Sequence, residues 1–229
     1  MLLPNLTSNL HSSEPTTQDC VWSNVHYSFY RKFGKRIFDL LLVFLTFPIF
    51  LILIPLLWAV VRLDGGPAFF GHLRVGRDGQ YFYCWKFRTM VVNAEEKLED
   101  YLKANPELVQ EWQNNFKLQA DPRITNIGNF LRKTSLDEIP QIWNILRGEM
   151  SFVGPRPIIK PELKYYGDAA GMCFAVRPGL TGLWQVSGRN EVTYSERVRL
   201  DIHYVSSISF MNDLLVILKT GVAVIRRTG

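Results

Sequence analysis

Asp137 and Glu138 are adjacent acids in Ser135-Leu136-Asp137-Glu138-Ile139-Pro140-Gln141, a segment surrounded by arginine and lysine. Such a pair at a helix start has two readings. In the structural one, Ser135-x-x-Glu138 is a capping box, the serine capping the helix and the glutamate reaching back. That reading leaves Asp137 without a role and puts Pro140 inside the helix rather than at its first position. In the chemical reading, the positive potential of a helix N-terminus keeps Asp137 ionised and draws a phosphate to it. An ionised carboxylate can attack phosphorus and form an acyl phosphate. A neighbouring carboxylate can hold Mg2+, which neutralises phosphate oxygens. Arg132, Lys133, Arg147, Arg156, Arg177 and Arg189 supply the cations, and guanidinium forks match phosphate oxygens in pairs. One arginine alone is more often a solvated surface charge; several in Gly/Pro-rich loops near an acid pair point to an anion site.

The positioning elements begin with an apolar stretch, Ile37 to Val61, whose only charge is Asp39. As a helix it is long enough to cross a bilayer core of about 30 Å. Pro48 and Pro55 interrupt the pattern. A kinked span accommodates them, and so does a helix that breaks at Thr46-Phe47-Pro48 and turns back, with the Thr46 hydroxyl serving a freed carbonyl. Arg31, Lys32, Lys35 and Arg36 precede the stretch, and Arg62, Arg74, Arg77 and Lys86 follow it. Cations on both flanks fit a re-entrant helix better than a span with one depleted side. Arg31 to Arg36 would lie against anionic headgroups, and Asp39 one turn after Lys35 and Arg36 could pair locally.

Beyond it, Phe69–Val75 and Gln80–Phe87 read as strands joined by the Arg77-Asp78-Gly79 hairpin turn. Helices are expected over Val91–Ala104, from Pro106 to about Leu118, over Glu138–Leu146 ending at Gly148, and over Thr193–Val205 and Asn212–Arg226. The last is apolar enough to rest in a membrane interface or pack on the core. Residues 148–160 and 177–191 are expected to be loops with chemistry. The fold class is therefore α+β and mostly helical: a polar tail over 1–30, a basic-flanked re-entrant membrane helix over 31–63, and a catalytic domain with a small β-hairpin over 64–229.

Net charge is +5 with a pI near 9.1, which favours anionic partners without choosing among phosphates, lipid and nucleic acid. The apolar stretch and the lack of a recognition motif argue against nucleic acid. Cys20, Cys84 and Cys173 have neither disulfide-framework nor metal-ligand spacing. No GxGxxG or GxxxxGK[ST] occurs, which excludes dinucleotide and P-loop phosphate cradles.

Lys86-Phe87-Arg88-Thr89-Met90, Ser135 to Gln141, Gly148 to Pro157, Arg177-Pro178-Gly179-Leu180-Thr181-Gly182 and Gln185-Val186-Ser187-Gly188-Arg189 stand in this order. Together they resemble the bacterial sugar transferases, the monotopic phosphoglycosyl transferases. The resemblance runs from about Lys35 to the end. It implies a re-entrant helix broken at Pro48 and a domain facing the cytoplasm from the inner membrane. It implies transfer of a hexose-1-phosphate from a UDP-sugar to undecaprenyl phosphate, with Asp137 as nucleophile and Glu138 assisting through Mg2+ or proton transfer. Lys86, Arg88, Arg132, Arg156 and Arg189 are then expected at phosphates. Asp201, in Leu200-Asp201-x-x-Tyr204-Val205, is expected at the metal or positioning the acid pair. Asn105 to Trp112 and Lys117 to Thr125 resemble the galactose- and glucose-type members. Larger relatives carry extra transmembrane helices and a domain, so the polar tail alone leads to the expectation of a short form. The competing reading is a membrane-docked scaffold without catalysis. The sequence leaves a homodimer open.

Overall fold

The computed structural model describes residues 29–115, 118–187 and 192–225; Arg189 and Cys20 lie outside them. A π-helical turn over Tyr30–Gly34 leads into helix α1 (Lys35–Arg62), 28 residues and about 42 Å long at 1.5 Å per residue. It is long and apolar enough to cross a membrane. Pro48 and Pro55 both sit inside it, so Pro48 does not end a helix. A proline frees the carbonyl four residues back, here that of Phe44. The Thr46 hydroxyl does not serve it; it donates to the carbonyl of Leu42 at 2.6 Å, with that of Val43 at 3.3 Å.

One face of α1 rests on the rest of the protein along most of its length. Val43 packs with Phe82, Cys84, Ile142, Ile145 and Met150, and Phe50 and Ile54 lie against the same cluster. Leu57 and Val61 pack with Ala68, Phe87 and Leu131. The other face leaves Phe44, Leu45, Ile49, Leu51, Ile52 and Leu56 exposed. The Lys35 charge favours the ionised form of Asp39, as expected, and two hydrogen bonds add to it. Its Oδ1 accepts from the Ser151 hydroxyl and the Phe152 N–H, both at 2.9 Å. The Lys35 ammonium itself is bonded at the far end of the chain, as set out below.

Strands β1 (Phe69–Val75) and β2 (Tyr81–Phe87) form the expected antiparallel hairpin, with Phe69 opposite Phe87 and Val75 opposite Tyr81. Helices α2 (Ala94–Ala104) and α3 (Val109–Asn115) follow; Pro106 opens a short 3-10 turn ahead of α3. Helix α4 (Asn126–Thr134) falls where no helix was expected. Thr125 caps it, accepting from the Gly128 N–H at 2.9 Å, and Arg132 and Lys133 occupy its last turn. Those signals, with Ile127 and Leu131 at helical spacing, were present in the sequence. A 3-10 turn over Leu136–Gln141 leads to α5 (Ile142–Arg147), which stops at Gly148 with φ +79°.

The two segments expected to be loops each carry a short strand. β3 (Ser151–Val153) pairs in parallel with β4 (Gly179–Thr181), and α6 (Ala170–Cys173) lies between them. Their Gly/Pro richness reflects backbone crowding: a Cβ at Gly154 would lie 2.6 Å from the Arg177 carbonyl oxygen. Helices α7 (Tyr194–Ser206) and α8 (Phe210–Ile225) close the fold. Helix α8 is two-faced. Asp213 and Val216 are buried, while Phe210, Met211, Leu215, Leu218 and Val222 are exposed.

Candidate active site

The acid pair is set by two turns that meet. Ser135 ends α4 in the left-handed region, φ +56°, and makes no side-chain cap, so the capping-box reading fails. Such a conformation is strained for a residue with a Cβ. It turns the chain so that Leu136–Gln141 runs against β2. From β2, Lys86 Nζ reaches Glu138 Oε1 at 2.6 Å and Asp137 Oδ2 at 3.8 Å. One ammonium thus holds both carboxylates.

Asp137 is 8% exposed, and its pKa is raised. Burial is the largest cause, with the neighbouring Glu138 charge adding to it, while Lys86 and Arg132 oppose both. The helix-terminus argument made from sequence therefore contributes little here. The element is a six-residue 3-10 segment, and the influences that favour an ionised Asp137 are the Lys86 charge first, then Arg132, with a backbone hydrogen bond last. Arg132 donates through Nε to the Thr89 hydroxyl at 2.9 Å, and burial lowers its pKa against the pull of Asp137.

Glu138 and Lys86 open onto a cleft that also takes in Arg74, Cys84, Gln141, Arg156, Pro157 and Gln185. Asp137 does not line the cleft; Lys86, 3.8 Å from its Oδ2, links it to the lining. Arg156 is held there by its guanidinium over the Trp184 ring, 5.7 Å from the centroid. Trp184 also receives Arg197, at 4.7 Å. Such stacking orients a guanidinium and leaves its edge for an anion. Burial pushes the Cys84 thiol up to about 11, so it stays protonated and is a poor nucleophile.

The remaining predicted site residues go elsewhere. Arg88 is 7% exposed, and its guanidinium serves the carbonyls of Pro67, Met90, Val61 and Gly65. It ties the end of α1 to the hairpin and is spent on backbone rather than aimed into the cleft. Asp201 is 1% exposed on α7 and accepts from the Tyr166 hydroxyl at 2.8 Å. Its other oxygen, Oδ1, is buried without a partner among the described residues. Burial pushes its pKa up to about 7, opposed by Arg156 and Arg197. Asp201 thus sits behind Arg156, one layer from the cleft. Pro48 lies inside α1. Arg177 turns away from the acid pair and donates through Nε to the Gly148 carbonyl at 2.6 Å.

Arg74, Gln141 and Gln185 were not foreseen. Arg74 could have been: once the hairpin register is fixed by the Asp78-Gly79 turn, Arg74 lies opposite Phe82 and shares a sheet face with Cys84 and Lys86. Among the described residues no three His, Cys, Asp or Glu side chains converge as a metal cage. Glu138 on the cleft beside Arg74 and Arg156, with Asp137 next to it in the chain, fits the other mode of Mg2+ binding, in which one or two acids hold the ion and substrate phosphates and water complete its shell.

The family model described as bacterial sugar transferase matches residues 30–227. Over 202 residues the chain is 51% identical to the UDP-galactose-lipid carrier transferase of Erwinia amylovora, covering 86% of this chain and 42% of that protein. It is 49% identical over 198 residues to the undecaprenyl-phosphate galactose phosphotransferase of Salmonella typhimurium, again 86% and 42%. The exopolysaccharide production protein ExoY of Sinorhizobium fredii is 50% identical over 191 residues, 82% of this chain and 83% of that protein. The chain therefore spans about two-fifths of the length of the first two relatives and most of the third.

Proposed function

Given that the chain belongs to the bacterial sugar transferase family, we propose that it transfers a hexose-1-phosphate, galactose-1-phosphate first among the candidates, from a UDP-sugar to undecaprenyl phosphate, releasing UMP. The observation that carries the reading is the acid pair held by one lysine, with that lysine and Glu138 lining a cleft beside Arg74 and Arg156. The choice of sugar and acceptor draws on the names of the relatives, and the use of the product in polysaccharide assembly on that of ExoY.

In this mechanism an Asp137 oxygen attacks the sugar-bearing phosphorus of the donor. The bond from that phosphorus to the UMP oxygen breaks, and the phospho-sugar is left on Asp137 as an acyl phosphate. An oxygen of the lipid phosphate then attacks the same phosphorus, and the Asp137 carboxylate leaves. Lys86 favours the ionised form of Asp137 against burial and the Glu138 charge. Arg156 and Arg74 face the diphosphate, where charge builds on the leaving phosphate oxygens. A Mg2+ held by Glu138 and Asp137 would neutralise donor phosphate oxygens and ease departure of UMP.

The acceptor's phosphate lies at headgroup depth, and the position of α1 suits that. Val43 near its first half and Val61 at its end both pack on the same body. A helix crossing the bilayer would carry one end away from that body, so the packing supports a re-entrant helix with both ends on the cytoplasmic side. The test is an Asp137→Asn variant assayed with a panel of UDP-sugars and undecaprenyl phosphate. UMP release and the covalent phospho-sugar adduct, followed by intact-mass measurement, are both expected to vanish. Full turnover in that variant would sink the assignment, and a preference for a 2-acetamido sugar in the native protein would overturn the choice of hexose.

A further inference from the structure

A second basic depression shares no lining residue with the cleft. Arg31, Lys32 and Arg36 enter it from the start of the apolar helix, and Arg77 and Arg177 from the globular part. Arg36 donates through Nη1 and Nη2 to the carbonyls of Ile145 and Leu146, at 2.5 and 2.9 Å. Arg177 donates through Nε to the next exposed carbonyl, that of Gly148. The two guanidiniums converge: a Cβ on Gly148 would lie 3.7 Å from Arg36 Nη2 and 3.9 Å from Arg177 Nε. The terminal nitrogens of Arg177 make no hydrogen bond among the described residues, so they remain available as a fork.

Acids balance these charges only in part: Asp39 and Asp78 both pull the Arg177 pKa upward, yet burial, Arg77 and Arg36 outweigh them. Asp39 lines the depression, but its Oδ1 is taken by Ser151 and Phe152. Asp78 pairs with Arg77, 3.1 Å from its Nε, on an exposed turn. The crowding registers on Arg177, whose pKa is lowered by burial first and then by the charges of Arg77 and Arg36. An anion between them would relieve that repulsion. The depression also lies where an anion would come from a membrane. One turn beyond Arg36 the outward face of α1 becomes apolar, with Leu40, Leu41, Phe44 and Leu45 exposed, so the cations stand at the level where phosphates of lipid headgroups end and hydrocarbon begins.

We propose that this depression is a binding site for a single phosphate group, gripped between the guanidiniums of Arg36, Arg77 and Arg177. The phosphate is the phosphodiester of an anionic phospholipid or free inorganic phosphate; both present the same oxygens. The site is independent of the transferase reading, because it uses neither the acid pair nor the cleft.

The experiment is native mass spectrometry on the full chain released from detergent, titrated with phosphatidylglycerol, phosphatidylcholine and inorganic phosphate. The variants are Arg77→Gln, Arg77→Gln with Arg177→Gln, and Arg77→Lys with Arg177→Lys. Lys97→Gln with Lys103→Gln on the exposed face of α2 removes equal charge elsewhere. At about 1 kcal/mol per cation near an anionic surface, each lost charge corresponds to roughly fivefold in affinity. The native protein is expected to bind phosphatidylglycerol over phosphatidylcholine. The single glutamine variant should lose about fivefold and the double roughly 25-fold, while the α2 variant is unchanged. The lysine variant keeps the charge and loses the fork geometry, so it should still bind several-fold more weakly than native. Displacement of the lipid by inorganic phosphate at comparable concentration identifies free phosphate as the occupant; failure to displace identifies the lipid. Native-like binding of both probes by the double glutamine variant, or native-like lipid affinity in the lysine variant, overturns a built site. The single variant alters only an exposed turn, so it reads the same effect if the double fails to fold.

Discussion

Two lysines in this protein grip carboxylates at the same distance and to opposite ends. Lys35 Nζ lies 2.6 Å from Asp213 Oδ2, and Lys86 Nζ lies 2.6 Å from Glu138 Oε1. Around Asp213 every acceptor is used. Tyr30 donates to Oδ2 at 2.8 Å, Tyr204 donates to Oδ1 at 2.6 Å, and Lys35 also donates to the Tyr204 hydroxyl at 2.9 Å. The acid is 0% exposed. Around Lys86, one ammonium is shared by two acids, and the second, Asp137, is left at 3.8 Å with its pKa raised. A saturated buried carboxylate is a rivet: it joins the start of α1 to α7 and α8. An under-saturated one keeps nucleophilic lone pairs. Saturation, rather than burial or the presence of a lysine, separates the two.

The sharpest way to break this contrast is a crossed pair of substitutions. Asp137→Asn should lower kcat on the order of 10^4-fold or more, as loss of a nucleophile does. The same change should leave the melting temperature at pH 7 unchanged or higher. The sign follows from the raised pKa: stability falls as pH climbs from the ordinary aspartate range through the folded value, so ionising a buried Asp137 carries a penalty that asparagine removes. Asp213→Asn should do the reverse. It strands a buried Lys35 and should cost about 3–5 kcal/mol of stability, read by thermal unfolding in detergent, while the folded fraction keeps its kcat. A stability loss at Asp137 equal to that at Asp213 would erase the distinction.

Lys86 sharpens the same point at smaller scale. Of the influences on Asp137, the lysine charge is the largest that lowers its pKa. Lys86→Met should reduce kcat/KM by roughly 10^2-fold, in the range of one lost electrostatic contact in a closed site. It should also move the acid limb of the pH–rate profile upward, because Asp137 then ionises only at higher pH. A profile that stays in place while the rate falls would separate Lys86 from the ionisation of Asp137 and leave it a phosphate ligand only.

How much of this was readable beforehand depends on the reach of the contacts. The hairpin was legible because Asp78-Gly79 and the flanking alternation are local. The acid pair was legible because its members are neighbours. The rivet was not: Lys35 and Asp213 are separated by nearly the whole chain, and Asp213 sits at the start of a helix whose apolar character hid its one inward charge. The pairing of β3 with β4 was missed for a related reason, since strands of three residues, Ser-Phe-Val and Gly-Leu-Thr, set among glycines and prolines are too short to carry a periodic signal. Arg88 was misplaced by its company: it follows Lys86 by two residues, but β2 ends at Phe87, and beyond the strand the chain no longer points it at the cleft. Loss of the strand's alternation there is why proximity in sequence to a site lysine did not carry over into proximity in space.

Asp201 lies between the two extremes, with one oxygen satisfied by Tyr166 and the other, Oδ1, buried without a partner. The contrast drawn above then predicts an intermediate acid, one that titrates under working conditions, and burial does push it up to about 7. Its folded pKa exceeds the unfolded one, so its ionisation weakens the fold progressively as pH rises from about 4 to about 7, and the full penalty persists above that. Asp201→Asn keeps an acceptor for the Tyr166 hydroxyl and removes the titration. The variant's melting temperature relative to native should therefore be nearly level at pH 4 and higher by pH 8. Its kcat should change only modestly, through a small shift of Arg156 over Trp184. If the melting difference does not vary with pH, Asp201 is ionised throughout and its orphan oxygen has a partner in solution, which would place it with Asp213 rather than between the two.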